Sequence, residues 1–146
     1  MKPVTDVQAV IIGQLQQLLA QVPLFGASVR EGSAKSIFDA EESTSEPSRQ
    51  IILQDGDTVE TARTPGQMAE EWTINIIAIS RERGDAESLR AARLAIKRVL
   101  KGAKAGVDAP GLIKASFPPS AGQLPGPGRR WGFRVVPITF HYTQQL

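Results

Sequence analysis

The chain has 146 residues, of which 41% are hydrophobic and 22% charged, with a formal net charge of +2. That is the balance of one globular domain, long enough to bury roughly 68–70% of its unfolded surface, and it excludes wholesale disorder. Zero cysteines and one histidine, His141, exclude disulfides, thiol nucleophiles, sulfur-ligated zinc and multi-histidine metal sites.

The first helix is signalled at Thr5, placed to cap it, with Gln8 three positions on as in a capping box. Val7, Val10, Ile11, Leu15, Leu18 and Val22 share one face, and Pro23 is expected to end it. From Leu24 to Pro47 the pattern is irregular, with SIF at 36–38 as a candidate short strand and EESTSEPS at 41–48 as a polar loop. Strands are predicted at 49–54 (RQIILQ) and 72–80 (WTINIIAIS). In the second, Trp72, Ile74, Ile76 and Ala78 stand on one side and Ile77 and Ile79 on the other, beside Thr73 and Asn75. Apolar surface on both sides marks a central strand. The 17 residues between them, DGDTVETARTPGQMAEE, are too many for a hairpin turn. Either the strands run on past the body of the domain as an arm, or this is a loop; both place residues 55–71 where a partner would meet them.

A turn at Arg83-Gly84-Asp85 opens the second helix, with Asp85 as its expected N-cap and Glu87 in its first turn. Leu89, Ala92, Ile96, Val99 and Leu100 form its apolar stripe. Arg90, Arg93, Lys97 and Lys101 form a basic stripe on another face, and Gly102 closes the helix. A short strand is expected at 112–117 (LIKASF), then a proline- and glycine-rich loop, PPSAGQLPGPGRR, at 118–130. In the final stretch Val136, Ile138, Phe140 and Tyr142 alternate to one side while Phe133, Val135, Pro137, Thr139 and His141 take the other. Proline donates nothing to a ladder, so Pro137 is expected at an open edge or a bulge.

Charge is unevenly spread. Residues 31–71 hold ten acids against three bases, a net −7, and residues 81–104 hold eight bases against three acids, a net +5. If the two segments face different ways, the molecule has two electrical sides, which suits either nucleic acid on the basic side or the acidic patch of one copy meeting the basic patch of the next. The acidic candidates for such a contact are Asp55, Asp57, Glu60, Glu70 and Glu71; the basic ones are Arg90, Arg93, Lys97 and Lys101. Arg129 and Arg130, beside Trp131, are the one loop site where cations meet an aromatic, and are candidates for phosphate contact.

Signals for chemistry are weak. Asp55-Gly56-Asp57 opens like a calcium loop, but Val59 and Glu60 stand where an oxygen ligand and a glycine are required. Gly126-Pro127-Gly128 fails the dinucleotide pattern, and no phosphate loop exists. No metal or cofactor is expected, and His141 has no motif neighbour. No apolar run approaches the roughly 20 residues that span a bilayer, and the amino terminus lacks a secretion leader, so the reading is soluble and cytosolic, without a membrane partner.

The stretch RQIILQDGDTVETARTPGQMAEEWTINIIAISRERGDAESLRAARLAIKRVLKG, together with the first helix and the closing ITFHYT, resembles the tail terminator, or tail completion, proteins of long-tailed bacteriophages. In that family a strand and an acidic arm lead into an alternating strand, an R-x-x-G-(D/E) turn and an Ala-rich amphipathic helix. The loop at 118–130 and the acidic loop near 41–48 depart from the pattern. The resemblance implies a non-enzymatic virion protein, assembled in the host cytoplasm as a ring of six copies at the head-proximal end of the tail tube. Its partners are then itself, the tail tube protein and the head completion protein, with DNA passing through a lumen that Arg129 and Arg130 are candidates to line. Alternative readings are a head-tail connector or neck protein of the same virion, and a small nucleic-acid-binding module using the 85–101 stripe. The expected fold is α+β: a mainly antiparallel sheet of four or five strands with two amphipathic helices over one face, in a single domain spanning 1–146.

Overall fold

The computed structural model describes residues 4–33, 47–119 and 132–146. The candidate strand at 36–38, most of the polar loop at 41–48, most of the loop at 118–130 and the Arg129, Arg130 and Trp131 cluster lie outside the described residues. Within them the chain runs α1 (Val7–Leu19), β1 (Val29–Glu31), β2 (Arg49–Thr64), β3 (Gln67–Ser80), α2 (Ala86–Val99), β4 (Leu112–Ser116) and β5 (Gly132–Gln145). The strands form one sheet in the order β1-β2-β3-β5-β4. All neighbours are antiparallel except β1 and β2, which run parallel. The expected α+β architecture is present, with five strands.

β3 is central because both of its sides can be buried. Trp72, Ile74, Ile76 and Ala78 join Ile51, Leu53, Val136, Ile138, Phe140 and Tyr142 in the main core, beneath the buried faces of both helices. On the reverse side Ile77 and Ile79 form a second cluster with Ile52, against Phe133 and Val135. Each isoleucine so enclosed contributes on the order of 1.5–3 kcal/mol relative to exposure.

α1 buries Val7, Ile11, Leu15 and Leu19, four positions in steps of four along one stripe. Its start differs from the expected capping box. Asp6 is the cap, its carboxylate accepting from the Gln8 backbone N–H at 3.1 Å. The Gln8 side chain, free of that role, reaches across to β5 and β2. The end differs too: the helix stops at Leu19, and Val22 is buried beyond it by a turn in which its N–H bonds the Leu19 carbonyl at 3.0 Å, so Pro23 is not the stop.

α2 buries Leu89, Ala92 and Ile96, with Leu100 buried just past its end. Gly102, at φ +87°, lets the chain leave the helix in the left-handed conformation that other residues resist. Asp85 stands at the cap position but makes no side-chain capping bond, because its carboxylate is held elsewhere. The Arg49 guanidinium donates to it from Nε at 3.0 Å and Nη2 at 3.1 Å, and the Ser80 hydroxyl donates as well. These three residues tie the start of β2, the end of β3 and the start of α2 together. Arg49, above all, holds the Asp85 carboxyl well down, to about 2 from 3.8; burial opposes the shift, and Ser80 and Ser88 add to it.

The 17-residue stretch resolves as the arm. β2 and β3 run on to Thr64 and Gln67 and turn at residues 65 and 66. β5 follows β3 along its whole length, from Ser80↔Gly132 to Gln67↔Gln145, so the arm is backed by a third strand. The outer flank of β2 beyond Leu53 has no ladder partner among the described residues, since β1 pairs only with Ile51–Leu53. Two bulges, between Asp55 and Thr58 and between Glu60 and Ala62, interrupt the ladder of β2 with β3. At the first, a Cβ on Gly56 would stand 2.5 Å from the Thr73 carbonyl oxygen, so only glycine fits.

Pro137 sits opposite Asn75 of β3. On its other side β4 ends at Ser116, opposite Thr139. The proline therefore lies where that flank of β5 has no ladder partner among the described residues, which fits the first of the two expected settings. β5 itself is an internal strand over its carboxyl-terminal half.

β1 was not foreseen from the sequence. Three residues, one half-buried and two exposed, carry no alternation to read.

Candidate assembly interface

The candidate charged residues divide between the two sides of β3. Asp55, Asp57 and Glu60 are exposed on the β2 side. α2 packs on β5 and β3, and Arg90, Arg93, Lys97 and Lys101 are all exposed along it and just past its end.

The acidic set is not one patch of free carboxylates. Asp55 accepts from the Trp72 indole N–H. Glu60 pairs with Arg63, whose guanidinium holds the Glu60 carboxyl below its usual value. Glu70 and Glu71 are half-buried neighbours on β3 and point to opposite faces of the sheet. Glu70 accepts from the Tyr142 hydroxyl at 2.9 Å, and Glu71 lies 3.2 Å from His141 Nδ1. Asp57 is exposed and makes no hydrogen bond or ion pair among the described residues.

The carboxylates of β3 instead help to fix the arm's base. Tyr142 donates to Glu70 and accepts from the Gln8 side chain at 2.7 Å, and that same amide reaches Thr58 of β2 at 3.3 Å. Burial pushes the Tyr142 hydroxyl far up, and the Glu70 carboxylate adds to this against the Gln8 bond, so the group stays protonated and keeps donating. Beside it Gln144 accepts from the Val7 N–H at 2.9 Å and donates to the Thr5 carbonyl at 2.7 Å. Two residues of β5 thus hold the first turn of α1, whose leading N–H groups would otherwise lack partners.

The basic side contains a groove that the sequence did not suggest. Where β4 stops, Phe117, Pro118 and Pro119 run beside the flank of β5 that has no ladder partner among the described residues. With Arg93 and Lys97 above and Val135 to Pro137 below, they enclose about 250 Å³. Lys97 Nζ lies 5.5 Å from the centre of the Phe117 ring, a cation–π contact. Arg93 has no acidic partner among the described residues. Only the proline pair after an aromatic marked this place in the sequence, and it read as the start of a loop.

Arg129 and Arg130 lie outside the described residues. Among the described residues no group of three or more His, Asp or Glu side chains is gathered as a metal site would require, and no helix is long and apolar enough to cross a membrane. A scan against protein-family models finds no match to this chain, and a comparison with curated proteins finds none either.

Proposed function

We propose that this protein is a structural, non-enzymatic subunit of a long-tailed phage or prophage particle, forming a closed ring at the head-proximal end of the tail tube. There it ends tube polymerisation and offers the surface to which the head joins. Its partners are copies of itself, the tail tube protein and the head completion protein, with DNA passing through the lumen.

The observation that carries this reading is the division of charge across β3, with Asp55 and Asp57 exposed on β2, whose outer flank has no ladder partner beyond Leu53 among the described residues, and an exposed cationic helix on the other side. A head-to-tail ring needs two different complementary patches on every chain, and opposite charge fixes which patch meets which. The resemblance of residues 49–102 to tail terminator proteins supplies the particle and the place in it. The arm, braced by α1 and β5, is a rigid element of the kind that reaches a neighbour.

The test is assembly. The purified protein should give closed rings by electron microscopy and a discrete multiple of the 15.7 kDa chain by light scattering. It should also be found at one end of tail tubes assembled in its presence. Arg93→Glu with Lys97→Glu should abolish the rings. Rings that ignore tubes would sink the terminator role. Monomers that bind duplex DNA with a steep salt dependence would favour the nucleic-acid module instead, through the same cations.

A further inference from the structure

We infer that the groove beside α2 is the receptor for the arm of a second copy, with Val59 seated in it and Asp57 meeting Arg93. This deepens the ring reading above and rests on it.

Val59 is the large apolar residue exposed on the arm, 54% accessible. It lies on a strand edge that has no ladder partner among the described residues, two positions from Asp57. A branched aliphatic side chain beside an unneutralised carboxylate is the pattern that a cation-rimmed apolar groove recognises. The groove offers the complement: an apolar lining from Phe117, Pro118, Pro119 and the 135–137 segment of β5, and cations from Arg93 and Lys97 at its rim. Phe117 is itself 36% exposed, so seating Val59 there removes apolar surface from water on both partners. The bulge at Gly56 and Asp57 turns this part of β2 out of the regular ladder, as bulges that aim a side chain do.

The occupant must be another molecule. Val59 pairs with Glu71, and Glu71 with His141. Pro137 is four residues further along β5, so Val59 stays about 13 Å along the strands and about 10 Å across them from the groove of its own chain. A rigid sheet cannot close that gap. The contact joins unlike patches, so each copy gives an arm and receives one, and repetition closes a ring or extends a filament.

The sequence has no cysteine, which makes cross-linking unambiguous. On oxidation, a mixture of Val59→Cys and Pro119→Cys chains should yield a disulfide-linked heterodimer, while Val59→Cys mixed with Ile113→Cys, exposed on β4, should not. Arg93→Glu should weaken self-association by about tenfold, and adding Asp57→Lys to the same chain should restore it. Absence of the heterodimer, or of the rescue, overturns the contact. Closed rings without the cross-link leave the ring reading standing and reject only this docking. A cross-link and rescue without closed rings uphold the docking and reject the ring.

Discussion

β3 and β5 are paired along their whole length, yet the two ends of that ribbon are held by different physics. From Trp72 to Ser80 every residue but Thr73 and Asn75 is buried: one side lies in the main core beneath both helices, and on the other Ile77 and Ile79 pack with Ile52, Phe133 and Val135. From Gln67 to Glu71 no residue is buried, and the strands keep their register through polar bonds that run Gln8 to Tyr142 to Glu70 and Val7 to Gln144 to Thr5. The same backbone ladder is thus stabilised by burial at one end and by hydrogen bonding at the other. The apolar end supplies stability; beside the polar end the outer flank of β2 has no ladder partner among the described residues.

That contrast is open to attack in order of expected effect. Phe140→Ala, at a position with no exposure, should cost about 3–5 kcal/mol in urea unfolding, because the main core beneath the helices cannot collapse onto the cavity. A loss near 1 kcal/mol would mean that the packed end is looser than its burial implies.

Asp85→Asn should cost less and should depend on pH. The native carboxyl titrates near 2, below its ordinary 3.8. Its contribution is therefore complete above about pH 5, fades as the pH falls and is gone below about pH 2. The gap between native and variant stability curves should close over that acid interval. A gap that is constant with pH would show that the Arg49 pair is not the source of the stabilisation.

At the polar end Tyr142→Phe should cost about 1–2 kcal/mol, since it removes the hydroxyl shared by Gln8 and Glu70 and leaves a carboxylate without its donor. Faster amide exchange should appear in the first turn of α1 and at residues 67–71, with the 74–80 segment unaffected. Uniform loosening of the whole sheet would contradict the division of labour between the two ends. Smallest of all, Arg63→Ala breaks a solvent-exposed pair with Glu60 on the arm and should leave the unfolding midpoint unmoved.

Much of the fold was legible because its signals are local and periodic. The two-sided apolar run at 72–80, the alternation from Val136 to Tyr142, and the i, i+4 stripes of both helices each report a face that must be buried, whatever buries it. Local rules misled where a distant residue competed for the same group. Thr5 and Gln8 spell a capping box, but Tyr142 and Gln144, more than 130 residues away in sequence, offer that turn other partners. Asp85 is placed to cap α2, but Arg49 and Ser80 take its carboxylate. Charge counting found the basic stripe, whose members all stay exposed. It also grouped five acids that the fold separates: Glu70 and Glu71 are adjacent in sequence, and strand geometry sends them to opposite faces.

The sequence by itself determined both helices, the strands at 49–54, 72–80, 112–117 and the carboxyl-terminal stretch, that β3 is central, and that charge is unequally shared, because side-chain periodicity and composition are properties of the chain alone. Strand order, the reach of β5 along the arm, the β1 pairing and the groove between α2 and the 135–137 segment of β5 were decided only in three dimensions. Each arises where segments far apart in sequence meet, and no local pattern records which neighbour a strand edge or a carboxylate will find.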